Sequence, residues 1–326
     1  MKSSGILFAF GLLFPLGALA EPPQDAGDWL NRMSQAAHSL NYEGTFVYEH
    51  LGTIQSMKVF HGADEQGERE RLVTLDGASR EVIRDNDKVT CILPDDKAVL
   101  VDATGPARPF PISLPTRLEQ LEGYYDVQMA GSDRVAERAA RKLSIRPRDT
   151  YRYGQNVWLD EETALLLKSE LVDEGGQVIE RLMFTDLKLH AEALPPAFFE
   201  PQQTGTDLTW YTRGPEHAGD QEDSPGNAWR VEDLPPGFRQ DIRRVHRVAA
   251  TAGPVEHLVY TDGLASVSVF IEKGVDDKSF MGVSRKGAVN VYTRGTDGYR
   301  IMVIGEVPPA TVRRIGDSVT LAGEAS

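Results

Sequence analysis

Arg69-Glu-Arg-Leu-Val-Thr-Leu-Asp-Gly-Ala-Ser-Arg-Glu-Val-Ile-Arg-Asp-Asn-Asp-Lys-Val-Thr-Cys-Ile-Leu-Pro-Asp-Asp-Lys-Ala-Val-Leu-Val101 is the stretch that decides the fold class. Asp76-Gly77 is a tight-hairpin signal, because both residues accept the positive φ that such turns require. The runs 69–75, 80–84, 89–93 and 97–101 are short and rich in Val, Ile and Leu. Asp85-Asn86-Asp87 and Pro94-Asp95-Asp96 separate them. Short strands at regular spacing, punctuated by turn residues, predict an antiparallel meander that curls into a barrel, half-barrel or sandwich.

Upstream, residues 25–40 place Trp29, Met33, Ala36, Ala37 and Leu40 on one helical stripe, with Asp25 or Asp28 as cap. Strands are expected at 42–50 and 54–60. Downstream, prolines 106, 109, 111 and 115 predict a loop and 116–122 a short helix. Strands resume at 124–129, 136–146, 151–159, 165–172 and 178–187. In strict alternation, Leu165, Leu167 and Leu171 share one face and Leu166 and Val172 the other. A sheet apolar on both faces needs helices or a ligand to cover one of them.

Residues 205–228 hold four Gly, two Pro, five acidic residues and one Arg, and read as a linker whose first part Leu208, Trp210 and Tyr211 can dock. A second unit spans 229–320. Strands are expected at 238–248, 255–260, 265–271, 288–294 and 299–306, with hairpin turns at Asp262-Gly263 and Asp297-Gly298. A helix at 310–319 follows Pro308-Pro309.

The chain of 326 residues is long enough for two domains. Its formal charge of −14 disfavours nucleic acid and loose adhesion to an anionic membrane. Residues 1–20 read as a signal peptide: Lys2, the apolar run from Gly5 to Leu16, then Ala18-Leu19-Ala20 before Glu21. No Cys follows the apolar run, so a freely diffusing exported protein is expected. Cys91 is the single cysteine, which excludes an internal disulfide and fits a core thiol better than a catalytic one.

Enzyme signatures such as G-x-S-x-G, the phosphate-binding loop and G-x-G-x-x-G do not occur. The seven histidines form no metal-binding spacing, and nothing calls for a cofactor or a metal. Two features point to binding instead. Phe46, Tyr48, Val59, Leu72, Ile83, Ile92, Leu165, Leu167 and Phe184 project apolar side chains from several strands, a pattern that fits both a core and the wall of an apolar cavity. Arg239, Arg243 and Arg247, with Arg244 and His246 between them, cluster on one strand of an acidic chain. Strict alternation puts those three on a shared face, either solvated or in contact with an acidic peptide or anionic head group.

Tyr42-Glu-Gly-Thr-Phe-Val-Tyr48 after a Trp-bearing helix resembles the opening of the RseB/MucB family. So do the stretch from Tyr153 to Ser169, the stretch His257-Leu-Val-Tyr-Thr-Asp-Gly-Leu-Ala-Ser-Val-Ser-Val-Phe-Ile271 and Gly305-Glu-Val-Pro-Pro-Ala-Thr311. The Tyr153–Ser169 stretch is more loosely similar to the lipoprotein carriers LolA and LolB. The resemblance implies an α+β, mainly β protein: a large unclosed antiparallel β-barrel capped by helices at 21–204, and a small β-rich domain at 229–320. It implies a periplasmic negative regulator of an extracytoplasmic-stress sigma factor. Such a protein binds the periplasmic domain of a membrane-spanning anti-sigma factor, shields it from site-1 proteolysis, and is released by lipid or lipopolysaccharide. A homo-oligomer is compatible with that reading. The competing readings are a periplasmic lipid or lipoprotein carrier and, far behind, an exported hydrolase. The absent lipid-anchoring Cys and the second domain favour a regulator.

Overall fold

The computed structural model describes residues 25–102, 121, 123–202, 208–213, 229–247, 254–273 and 281–321. The expected signal peptide, the expected loop at 106–115 and most of the expected helix at 116–122 lie outside these residues. Helix α1 (Ala26–Ser39) begins where Asp25 Oδ1 accepts a hydrogen bond from the Asp28 N–H at 2.8 Å. It buries Ala26, Trp29, Leu30, Met33 and Ala36, the expected apolar stripe shifted slightly toward its start.

The alternating runs form one twelve-stranded sheet. Its strands are β1 (Asn41–His50), β2 (Thr53–Asp64), β3 (Gly67–Thr74), β4 (Glu81–Asp85), β5 (Lys88–Leu93), β6 (Ala98–Asp102), β7 (Tyr125–Val135), β8 (Arg138–Pro147), β9 (Gly154–Asp160), β10 (Leu166–Val172), β11 (Val178–His190) and β12 (Thr209–Arg213). The order is β12-β6-β5-β4-β3-β2-β1-β11-β10-β9-β8-β7, so β7 and β12 end the sheet and do not close it. Every pairing is antiparallel except β12 with β6, which is parallel. Residues 209–213, expected within a linker, are thus a sheet strand. Linker composition hid them, and the aromatic pair Trp210-Tyr211 and the docking of Leu208 on Ile92, Val99 and Val101 are what favour the strand.

Register separates the two faces. Cα partners Tyr42↔His61, Phe46↔Met57, Val59↔Leu72, Leu72↔Val82, Val82↔Cys91 and Cys91↔Leu100 share the face on which α1 lies. Phe60, Arg71, Ile83, Ile92 and Val99 share the other. There Phe60 packs with Leu194 and Phe199 around a 3₁₀ turn at Pro196–Phe198. The buried pair Arg71–Glu81 ties that segment down: Arg71 donates to the Phe198 carbonyl at 3.1 Å, and the Gln202 N–H donates to Glu81 at 3.2 Å.

The small domain holds a six-stranded antiparallel sheet: β14 (Arg239–Arg247), β15 (Pro254–Thr261), β16 (Ser266–Lys273), β17 (Gly282–Lys286), β18 (Val289–Thr296) and β19 (Tyr299–Gly305). Their order is β14-β15-β16-β19-β18-β17. Helix α2 (Pro309–Asp317) packs on β18 and β19 through Val312 and Ile315. A two-stranded ribbon, β13 (Trp229–Val231) with β20 (Val319–Leu321), completes it.

The two domains meet at Tyr151-Arg152-Tyr153, the turn between β8 and β9. The Arg152 side chain is fully buried and donates to Asp262 Oδ2 at 2.5 Å. It also bonds Asp149 and the Pro236 carbonyl, and its guanidinium lies 5.0 Å from the ring centres of Tyr124 and Phe238. Tyr125 Oη donates to the same Asp262 oxygen at 2.8 Å, while Asp262 Oδ1 accepts the N–H groups of Leu264 and Ala265. Asn290 donates to Tyr153 Oη at 3.0 Å and Thr311 Oγ1 to the Tyr151 carbonyl at 2.7 Å.

Candidate functional site

The nine apolar candidates do not form one group. Phe46, Tyr48, Val59, Leu72, Leu165 and Phe184 belong to one cluster beside Ala36 of α1. Ile83 and Ile92 point to the opposite face and pack with Val99 and Val101. The reason is register: Leu72 pairs with Val82, so Ile83 faces away from it. Leu167 packs with Trp158, Val135 and Ala140 in another cluster. The strict alternation expected at 165–172 fails because the register shifts between Leu166 and Lys168, a bulge that re-aims Leu167.

Within the joined cluster, Phe46 and Phe184 lie 5.7 Å apart between ring centres and are buried. An alanine at Gly44 would put Cβ 2.7 Å from the Asp186 carbonyl oxygen and 2.8 Å from the Phe184 ring, so glycine is what lets these strands close up. α1 covers this part of the sheet and then ends. Beyond it the same face runs on through Leu72, Val82 and Cys91, half-buried, to Leu100, 44% exposed, and Tyr211, 58% exposed. Burial pushes the Cys91 thiol up, partly offset by Arg80, so Cys91 is held as an apolar side chain rather than a thiolate.

One cross-strand row away, the same face is polar. Arg84 bonds Glu68 at 3.2 Å and Glu70 at 3.3 Å. His61 lies within hydrogen-bond distance of the Leu40 carbonyl at 2.7 Å and stacks on Tyr42 with ring centres 5.0 Å apart. Burial holds its imidazole below the usual value. A polar row beside an apolar one makes this half-covered face amphiphilic, and sequence spacing alone gave no sign of it.

The arginine strand is also reorganised. A register shift between Gln240 and Ile242 places Arg239 opposite Thr261 and Arg243 opposite Leu258. Thr261 and Leu258 stand on opposite faces of β15, so Arg239 and Arg243 do not share a face. Arg243 is part-buried, ion-paired with Glu256, and donates to the Trp229 carbonyl at 3.2 Å. Arg239 is exposed. Arg247 pairs in register with Pro254, and its side chain lies outside the described residues.

The sequence gives almost no sign of the interdomain Arg152–Asp262 pair. No local pattern marks it, because its partners come from sequence positions far apart, and its one trace is an arginine between two tyrosines.

Comparison with known proteins places these features. The family model for the MucB/RseB N-terminal domain matches residues 25–203, and that for the MucB/RseB C-terminal domain matches residues 223–320. The sigma factor AlgU regulatory protein MucB of Pseudomonas aeruginosa is 38% identical over 327 residues, covering 98% of each chain. The sigma-E factor regulatory protein RseB of Salmonella typhimurium is 29% identical over 326 residues, covering 96% of this chain and 95% of its own. Among solved structures, the complex structure of Pseudomonas aeruginosa MucA/MucB aligns with a TM-score of 0.72 at 35% identity, over 92% of this chain and 99% of that chain. A crystal structure of MucB in complex with MucA(peri) aligns with a TM-score of 0.71 at 34% identity, over 93% of this chain and 100% of that one.

Proposed function

From the premise that this chain belongs to the MucB/RseB family, we propose that it is a periplasmic negative regulator of a stress sigma factor. It binds the periplasmic domain of a membrane-spanning anti-sigma factor and shields that domain from site-1 proteolysis. The observation that carries this reading is the alignment of both domains, over 92% of the chain, with MucB solved together with MucA. Titration of the full chain with the periplasmic domain of its cognate anti-sigma factor tests it. A one-to-one complex that slows cleavage by the site-1 protease is expected. Absence of a complex refutes the reading.

Release by lipid is the second part of the reading. The amphiphilic face supports it: the Phe46, Tyr48, Val59, Leu72 and Phe184 cluster borders a half-open strip through Val82, Cys91 and Leu100. An acyl chain laid along that strip gains about 0.8 kcal/mol per buried CH₂. Ile83, Ile92 and Leu167 point elsewhere and take no part. Binding releases the partner only if the lipid prefers a state with weaker partner affinity. Val82→Glu keeps the buried clusters intact and places a charge on the strip. It should reduce lipid-driven release while sparing basal binding, as read by release assays beside circular dichroism melts. Normal lipid sensitivity in a folded variant overturns the assignment.

The same half-open face is what favours the carrier reading. Lipid uptake with no affinity for any anti-sigma periplasmic domain would establish it instead. Arg239 remains a proposed partner contact through its exposure, and Arg247 through its place on the same edge strand.

A further inference from the structure

We infer that the free edge of β17, with the cleft beside it, is a docking surface for an extended, acidic peptide segment of the anti-sigma partner, which adds there as a strand. The inference rests on the function proposed above and deepens it. β17 ends the six-stranded sheet, so its outer backbone groups have no strand partner among the described residues. A peptide laid along such an edge satisfies them by main-chain hydrogen bonds, and alternate side chains then select the ligand.

Three features fit this edge to an acidic, extended ligand. First, Arg285 and Lys286 are exposed and make no ion pair among the described residues, although Arg243, Arg300 and Arg314 in the same domain are all paired with carboxylates. Unpaired cations complement an acidic segment, whereas two copies of a chain with 49 acidic and 35 basic residues repel each other through their net charge. Second, Met281 and Val283 are 45% and 37% exposed beside them, whereas edges guarded against pairing carry charge without such apolar side chains. Third, the strand borders a cleft of about 370 Å³ shared by both domains. Leu51, Val178, Ile179, Glu49 and Glu180 line it from the large sheet, the two carboxylates already paired with Arg181 and His50, and Arg285 and Gly287 line it from the small one. Leu51 and Val178 are themselves exposed.

The cleft is held open by local structure. Gly287 has φ +63°, and a Cβ there would lie 2.5 Å from the His50 ring, so the β17–β18 turn abuts the β1–β2 hairpin. His50 in turn pairs with Glu180 at 2.6 Å, and Tyr48 donates to the same carboxylate at 3.0 Å. A peptide on β17 thus has main-chain partners on one side and apolar hairpin tips on the other. Such a peptide would touch both domains. β14, the other edge of the sheet, carries more arginines, but Arg243 there is committed to Glu256 and the Trp229 carbonyl.

Hydrogen–deuterium exchange of the full chain, with and without the purified anti-sigma periplasmic domain, tests the site. Slowed exchange at amides 282–286 is expected on binding. The double variant Arg285→Glu with Lys286→Glu should lose about tenfold in association rate at low salt and less at high salt, with an unchanged thermal melt. A complex that forms with no protection at 282–286, or with protection only at 239–247, overturns the site and leaves the proposed function standing. A full chain that binds no anti-sigma periplasmic domain overturns both.

Discussion

Removing the charge of Asp262 tests whether the two domains are one mechanical unit. The Asp262 and Arg152 side chains are both fully buried. Asp262→Asn preserves shape and keeps Oδ1 available to the Leu264 and Ala265 N–H groups, but leaves Arg152 with a single carboxylate partner, the more exposed Asp149. Breaking a buried ion pair by removing one partner costs about 3–5 kcal/mol. Asp149 and the Pro236 carbonyl stay in place, which argues for about 3 kcal/mol here. Urea unfolding followed by tryptophan emission reads the effect, since Trp29 and Trp158 lie in the large domain and Trp229 in the small one. In the unaltered chain the two domains should unfold in one transition. In Asp262→Asn the small domain should unfold first. Arg152→Met should behave alike, and the double variant should cost clearly less than the two single costs added, because the pair is removed together. A single variant costing under about 1 kcal/mol, or a double variant that is strictly additive, refutes the reasoning.

Gly44→Ala should lower stability by about 1–3 kcal/mol, because its Cβ would press on the Asp186 carbonyl and the Phe184 ring, and a thermal melt reads this directly. Asp160 yields an acid-limb prediction. Burial would raise its carboxyl, but Arg138 and the N–H groups of Thr163 and Glu162 bring it below the usual carboxylate value. A folded value below the unfolded one gives stability that is present above about pH 4 and lost as pH falls through the folded value. Arg138→Gln should flatten that loss in chemical denaturation between about pH 5 and pH 2, and an unchanged slope would count against the pairing. Ala36→Leu should wedge α1 off the sheet at a cost of about 1–3 kcal/mol and weaken partner binding without lipid. Unaltered binding by the folded variant would show that α1 carries no signal.

The helix at Ala26–Ser39, the antiparallel meander and the two-unit division were legible because each rests on local chemistry: an apolar stripe, turn residues, a run of Gly and acid. The tight hairpin expected at Asp76-Gly77 is instead a six-residue connection, 75–80, in which Gly77 but not Asp76 takes a positive φ. Which face each side chain takes was not. Ile83 and Leu72 look equivalent in sequence, yet the Leu72↔Val82 register puts them on opposite sides. The shift at Asp241 does the same to Arg239 and Arg243. A one-residue change of register or a single bulge inverts a face, and neither leaves a compositional mark when the flanking residues are Arg, Gln and Asp. β12 escaped for a different reason: Trp210-Tyr211 favours a strand, but the Gly- and acid-rich flanks mask it and its parallel partner, β6, lies more than a hundred residues earlier.

These placements change how a signal would cross the molecule. A flexible linker suggests that lipid acts by letting the domains swing freely, but Tyr151, Arg152 and Tyr153 each bond the small domain, and Leu264 from that domain packs on the cluster formed by Trp29, Leu30, Met33 and Tyr125. α1 therefore belongs to two neighbourhoods at once. Ala36 faces the Phe46, Val59 and Phe184 cluster that borders the half-open strip, while Trp29, two turns earlier, faces the cluster that receives Leu264. Packed cores shift between discrete arrangements rather than deform smoothly. An acyl chain that displaced the C-terminal turn of α1 would shift the wall against which the small domain is seated. The required coupling is modest, about 1–3 kcal/mol for a 5–150-fold change in affinity. The contacts at Tyr151, Arg152, Tyr153 and Leu264 give the seated arrangement its definition, and a lipid that moved α1 would act on that packing rather than on a loose hinge.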